Sequence, residues 1–284
     1  MKRLIVNADD FGLHTEVNQG IIEGHRTGCI TSTSLIAAGA AAEEAAQLAR
    51  ENPDLGVGLH LTLVAERPVL PPETIPSLTG PDGRLWPDHG VFIKRFVSGR
   101  ICLDEVRAEC AAQLERARAL GVSLTHFDSH QHLHVLPGIL DIVIRLAKKA
   151  GITKLRLPAE DVFFTGGYGA PLARHIAKSG LTFCARLAAG RMARAGLLSP
   201  DHFFGMLAGG HMYEVNFLSI LAALPEGTSE IMVHPGRNRK VLEAVYHWGY
   251  HWEDELAAVT SEKGRRFLEQ NQIKLISFKE LDDE

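Results

Sequence analysis

The chain has 284 residues, with 30 Lys+Arg against 34 Asp+Glu, a formal charge of −4, and 45% hydrophobic residues. That balance, without any Lys/Arg run, excludes a general grip on nucleic-acid phosphates, and no apolar run approaches the ~18 residues needed to span a bilayer. The scattered Cys29, Cys102, Cys110 and Cys184 form no C-x-x-C pair, which excludes a zinc knuckle and a disulfide framework. The count that stands out is histidine, at 14, and it directs attention to metal or acid–base chemistry.

Short β-rich runs alternate with amphipathic stretches. Lys2 to Ala8 reads as a buried strand; it stops at Asn7-Ala8-Asp9-Asp10, so no signal peptide is read there and a cytoplasmic protein is expected. Thr15 to Thr27 reads as a helix with Val17, Ile21 and Ile22 on one side and Gly28 as its stop. Strand at Thr31 to Ala37, helix at Ala41 to Arg50 and strand at Leu55 to Leu61 follow. Pro68 to Asp88 is a Pro- and Gly-rich loop. Leu103 to Leu120 has helical periodicity, Ser123 to Asp128 is a strand, and Leu136 to Ala150 is a helix. Further strands are expected at Lys154 to Leu157, Glu230 to His234 and Ile273 to Ser277. This βαβα rhythm implies parallel strands with helical crossovers. With no repeat or linker, residues 1–284 read as one α/β domain, a distorted (β/α) barrel that is TIM-barrel-like and has as few as seven strands. The phosphate-cradling G-x-G-x-x-G and G-x-x-x-x-G-K-[ST] loops are missing. In a barrel, polar residues beyond the strand C-termini converge on one face.

Four strand ends carry such residues. Asp9 and Asp10 leave the first strand in different directions, so that one carboxylate can bind a cation while the other accepts a proton; alone, they read equally well as a turn with an Asx cap. His60 ends the strand after Gly56 and Gly58. In Thr125-His126-Phe127-Asp128-Ser129-His130-Gln131-His132-Leu133-His134, alternate histidines share one face if the segment is extended, and His130 and His134 share one if a helix starts early. His234 stands at the tip of Ile231-Met232-Val233. Two histidines and a carboxylate are a familiar first shell for a catalytic divalent ion, and a remaining carboxylate and histidine then serve as proton acceptor and donor. That is equipment for hydrolysing an amide, and no G-x-S-x-G motif competes with it.

These segments, Asn7 through Gly12, Gly58-Leu59-His60-Leu61, Asp128 through His134, and Val233-His234-Pro235-Gly236, occur in this order in the YdjC-like carbohydrate deacetylases, which the sequence resembles from residue 2 to at least 237. The resemblance implies a distorted (β/α) barrel and metal-dependent removal of acetyl from an N-acetylated amino sugar. Carried over motif by motif, it makes Asp10, His60 and His130 the ligands of one divalent ion, Asp9 the base and His234 the acid. Mixed N/O ligation accommodates zinc, magnesium, manganese or others, with zinc or magnesium the expected ion. His132 and His134 orient ligands or touch substrate. Arg156, at another strand end, binds sugar hydroxyls, balances a carboxylate, or is an ordinary surface arginine. A soluble chitooligosaccharide substrate, a phosphoesterase on the same cation site, and a non-catalytic carbohydrate-binding barrel are the competing readings.

Arg67-Pro68-Val69-Leu70-Pro71-Pro72 and Ser199 through Gly205 resemble the subgroup associated with hopanoid biosynthesis, which implies an N-acetylglucosaminyl hopanoid as substrate. Between Val162 and Pro200 there is no Asp or Glu, while Arg174, Lys178, Arg186, Arg191 and Arg194 alternate with Leu172, Ile176, Phe183 and Leu187. Residues 171–198 therefore read either as a peripheral contact with an anionic membrane, at its inner face, or as a core helix with a basic solvated face. In Tyr246-His247-Trp248-Gly249-Tyr250-His251-Trp252, a helix would pair the rings at four-residue spacing. Trp248 and Trp252 are candidates to stack on substrate.

Overall fold

A computed structural model describes residues 1–282. In chain order the regular elements are β1 (Lys2–Phe11), α1 (Thr15–Thr27), β2 (Ser32–Leu35), α2 (Ala42–Glu51), β3 (Gly56–Leu61), α3 (His89–Val97), α4 (Leu103–Ala119), β4 (Leu124–Ser129) and α5 (Ile139–Ala150). After these come α6 (Leu172–Arg194), β5 (His202–Phe204), α7 (Glu214–Ala223), β6 (Gly227–Val233), α8 (Arg239–Val245), α9 (Trp252–Val259), α10 (Glu262–Gln270) and β7 (Lys274–Leu275).

The strands form a parallel sheet in the order β4-β3-β2-β1-β6-β5, with β7 on β1. β1 is central because it is apolar on both faces: Leu4, Ile5 and Val6 are fully buried, as a parallel strand covered by crossover helices requires. Its first half pairs β7 at Arg3 and Leu4, its second half pairs β2 from Asn7 onward, and its other edge pairs β6. Beyond β4 the circuit continues through single bridges, Phe127 to Leu155 and Lys154 to Leu198, and the chain then leads directly into β5. The result is the expected distorted (β/α) barrel, irregular between β4 and β5.

Several local expectations need correction. Lys154 to Leu157 forms isolated bridges rather than a strand, because its partners on both sides offer only one or two ladder positions. Ile273 to Ser277 shortens to the two residues of β7 before a capped 3-10 turn at Phe278–Glu280. Residues 246–251 are not helical; Gly249, at φ 68°, turns the chain between α8 and α9.

The C-terminal ends of β1, β2, β3, β4 and β6 lie together, and His60 is in register with Asp128. The turn after β6 is seated against α1 through Gly20, where an added Cβ would stand 2.5 Å from the Gly236 Cα. Alanine in mid-helix gains at most about 1 kcal/mol of propensity, whereas backbone overlap costs about 1–3 kcal/mol. Gly20→Ala is therefore expected to lower stability in urea titrations, and an unchanged midpoint would show that this contact is slack.

Candidate metal and acid–base centre

The first carboxylate pair sits on a kink. The β1–β2 register shifts between Ala8 and Phe11, and Asp10 adopts φ 70°, the left-handed region that non-glycine residues enter at a cost. This turns Asp9 and Asp10, which in a regular strand would face opposite sides, to different partners within one buried centre. Asp10 Oδ1 lies 3.1 Å from His130 Nδ1 and 3.5 Å from His60 Nε2. Donor atoms of Asp10, His60 and His130 all lie within 4.8 Å of one another. Ligand atoms around a tetrahedral ion with ~2.1 Å bonds stand about 3.4 Å apart, so the donor set fits a divalent cation. Asp10 Oδ2 and His130 Nε2 are buried without hydrogen-bond partners, an expense that a polar ligand would remove.

His60 is oriented from behind. Its Nδ1 donates to Asp128 Oδ1 at 2.8 Å, and because an ionised carboxylate only accepts, the Nε2 lone pair is directed to the centre. Burial alone would lower the His60 pKa, but Asp128 and then Asp9 outweigh it and raise it to about 9, so the ring carries a proton on Nε2 that a bound divalent ion would displace to reach the lone pair.

Arg156 is neither a surface residue nor a hydroxyl binder. It is 0% exposed and joins three carboxylates: both Asp9 oxygens at 2.7 Å, Asp128 Oδ2 at 2.9 Å and Glu230 Oε1 at 2.8 Å. Of the alternatives for this residue, the structure realises the balancing of carboxylates. Burial would raise the Asp9 pKa, but Arg156, helped by His60, holds it well below the usual carboxylate range. Asn7 Nδ2 donates to the same carboxylate at 2.9 Å, and Ser34 Oγ donates to Asp128 at 2.7 Å. A second donor group, Asp9 with His60 and Asp128, is also close enough to hold an ion. There the guanidinium already supplies the positive charge and occupies both Asp9 oxygens, so the first group is the better cation site.

Three carboxylates share one guanidinium, and Glu230 absorbs the mismatch. Its Oε2 is buried without a partner, and burial, only partly offset by Arg156, pushes its pKa up to about 7. The folded state thus holds this proton more tightly than the unfolded chain. Stability that Glu230 confers in acid is lost as pH rises from about 4.5 to about 7, at up to about 1.4 kcal/mol per pH unit. Glu230→Gln should flatten that slope in urea titrations; an unaltered slope would mean Glu230 is ionised throughout.

The histidine cluster follows neither a strand nor a helix. His130–Val135 is a 3-10 segment in which Gln131 and His132 adopt φ 54° and 57°, so the three rings diverge. His130 reaches Asp10. His132 meets Phe203 edge-on at 5.6 Å, and burial pushes its pKa well down. His134 donates from Nε2 to the Arg156 carbonyl at 3.0 Å and accepts from Ser129 Oγ at 2.7 Å, so it anchors the segment that carries Arg156. His126 is a core residue stacked on Phe278.

His234 shares a cavity of about 720 Å³ with Asp9, His60, His130 and His132. Its Nδ1 is buried without a hydrogen bond, 3.9 Å from Glu255 Oε2, while Glu255 accepts backbone N–H groups of His234 and Met212. The farther cavity walls are apolar, including Ile93, Phe96, Leu136, Ile176 and Leu181. Trp248 lies 5.4 Å from the His130 ring. Trp252 is 1% exposed and packs on Gly236, so it offers no face to a ligand. The rings of Tyr246, Trp248, Tyr250 and Trp252 pair at two-residue spacing, centroids 4.9, 5.4 and 5.7 Å apart, in a segment that is not helical. Asp128, Glu230, Glu255 and Ser34 went unassigned in the sequence. Only Asp128, inside the histidine motif, carried a signal that could have found it.

The YdjC-like protein family model matches residues 3–270. A carbohydrate deacetylase of Mus musculus is 37% identical, covering 99% of this chain and 95% of its own, and one of Thermoanaerobacter pseudethanolicus is 32% identical, covering 98% of each. A chitooligosaccharide deacetylase of Salmonella typhimurium is 44% identical over 56% of this chain and 60% of its own. The crystal structure of an Enterococcus faecalis protein named for cellobiose-phosphate cleavage superposes with a TM-score of 0.77 at 27% identity, covering 99% of both chains. With family segments spanning nearly its whole length and full-length relatives above 30% identity, this chain belongs to the YdjC-like family.

Proposed function

We propose that the protein is a carbohydrate N-deacetylase that hydrolyses the N-acetyl group of an amino sugar to acetate and a free amine, with the whole chain as one catalytic unit. The observation that carries the reading is the Asp10, His60 and His130 donor set, flanked in one cavity by the ionised Asp9 and by His234. Full-length relatives bearing the name carbohydrate deacetylase support it.

Asp10, His60 and His130 would hold a divalent ion, zinc or magnesium. Such an ion polarises a carbonyl and acidifies water. Asp9, kept charged and fixed in orientation by Arg156, accepts the proton of the attacking water. His234 delivers a proton from its ring to the departing nitrogen. Mere binding would need neither group. Asp9→Asn is expected to keep sugar binding and lose about 10²–10⁴-fold in turnover, measured as acetate release; full turnover in that variant rejects the assignment.

The proposed sugar carrier is apolar, an N-acetylglucosaminyl hopanoid, because the outer cavity between α3 and α6 is walled by aliphatic and aromatic side chains. On α6, Leu172, Ile176, Phe183 and Leu187 are exposed, which supports contact with the inner face of a membrane. The charge argument is weaker than the sequence implied. Lys178 is buried on Glu160, Arg174 donates to the Leu207 and Gly209 carbonyls, and Arg191 pairs with Asp141. No helix among the described residues is long and apolar enough to cross a membrane. Acetate release from an N-acetylglucosaminyl lipid should exceed that from chitooligosaccharides; the opposite order rejects the lipid and keeps the deacetylase.

A further inference from the structure

A second cleft, of about 890 Å³, adjoins the centre, and Trp248 stands between the two: it lines this cleft, while its ring lies 5.4 Å from His130. The cleft differs chemically from the apolar cavity. Trp86, Tyr246 and Trp248 supply rings, and Glu66, Asp82, Arg67 and Arg84 supply charge. Glu66 is the informative residue. It is 8% exposed, yet its nearest cation, Arg84 Nη2, lies 3.7 Å away, beyond hydrogen-bond length, and the same Arg84 nitrogen donates instead to the Ala65 carbonyl at 2.9 Å.

Among the described residues none donates a hydrogen bond to the Glu66 carboxylate, and its side chain keeps 11% exposure at the cleft, so ligand O–H groups can take the place of water there. A role in bracing the loop does not account for Glu66, because the backbone bonds Ala65 N–H to Trp86 O and Leu85 N–H to Glu66 O already tie the two strands of that loop. Trp248 lines this cleft with its ring 5.4 Å from that of His130, so a ligand stacked on it adjoins the donor set.

We infer that this cleft is the sugar-recognition lobe: Glu66 accepts hydrogen bonds from ring hydroxyls of the amino sugar, and Trp248 packs against its apolar C–H face while the acetamido group lies at the Asp10, His60 and His130 donors. The inference rests on the deacetylase reading and adds how the sugar is selected. Flat rings paired with an acceptor-only carboxylate suit a polyhydroxylated ring, whose C–H face stacks and whose O–H groups donate.

Tryptophan emission gives a readout independent of turnover, since Trp86 and Trp248 line the cleft and Trp252 is buried. Titrating the full chain with N-acetylglucosamine and with N,N′-diacetylchitobiose should change emission saturably. Glu66→Gln should weaken that binding about tenfold or more, the loss of one charge-assisted hydrogen bond, with an unchanged melting temperature. In the wild-type chain, bound sugar should shield tryptophan from acrylamide quenching, whatever the variant's folding. Wild-type sugar affinity in Glu66→Gln, or no shielding, overturns the lobe. Acetate release with an unaltered KM in Glu66→Gln removes the lobe and leaves the deacetylase standing. Glu66-dependent binding without acetate release supports the lobe and removes the deacetylase.

Discussion

Arg156→Met is expected to destabilise the fold by at least about 3–5 kcal/mol, the cost of breaking a buried ion pair from one side. The guanidinium is the shared partner of Asp9, Asp128 and Glu230, all at least 98% buried. Methionine preserves much of the volume, so the loss isolates charge from packing. Burial would depress the Arg156 pKa, but Asp128 and then Asp9 outweigh it and raise it well above the usual value, so the group is a cation at every accessible pH. Arg156→Lys should rescue only part, because one ammonium cannot span the fork geometry that meets three carboxylates. Urea titration measures both. A loss under about 1 kcal/mol for the methionine variant would mean that the carboxylates take up protons at little cost and that the Arg156 network contributes little.

Asp128→Asn is expected to weaken divalent-cation binding about 10–100-fold, although Asp128 does not belong to the favoured donor set. Its carboxylate fixes the His60 ring through Nδ1 and so aims Nε2 at Asp10. Asparagine can accept from Nδ1 through its carbonyl oxygen, but it then turns an amide N–H₂ toward the Arg156 donors that Oδ2 now accepts. The ring loses its orienting charge and gains a clash of donors. His60→Ala, which removes a donor atom outright, should cost more. Calorimetric titration with zinc orders the three proteins; equal affinity in wild type and Asp128→Asn would show that the His60 ring needs no orienting partner.

The architecture was legible because strand ends are marked by chemistry as well as by hydropathy. Apolar runs that stop at Asp9, His60, Asp128 and His234 are what a barrel rim requires, and β1, β3, β4 and β6 end there. Where the outcome depended on pairing across long sequence separations, local pattern fell short. Lys154 to Leu157 has the composition of a strand but finds only single bridges. Arg156 is polar at a strand end, and nothing local says that Asp9, 147 residues away, will claim it. The divergence of His130, His132 and His134 depends on two non-glycine residues in the left-handed region, which periodicity does not anticipate. The aromatic run was read at helical spacing, whereas the segment turns at Gly249 without forming a helix, and every second ring comes together. On α6, Lys178 looked like part of a basic surface because its partner, Glu160, lies outside the helix.

Anomalous scattering from crystals soaked in a zinc salt tests the central claim most directly. The account predicts one strong peak within bonding distance of Asp10, His60 Nε2 and His130, and its loss in His60→Ala. A peak between Asp9 and Asp128, or no peak at the Asp10 donors in protein that still releases acetate, would contradict it.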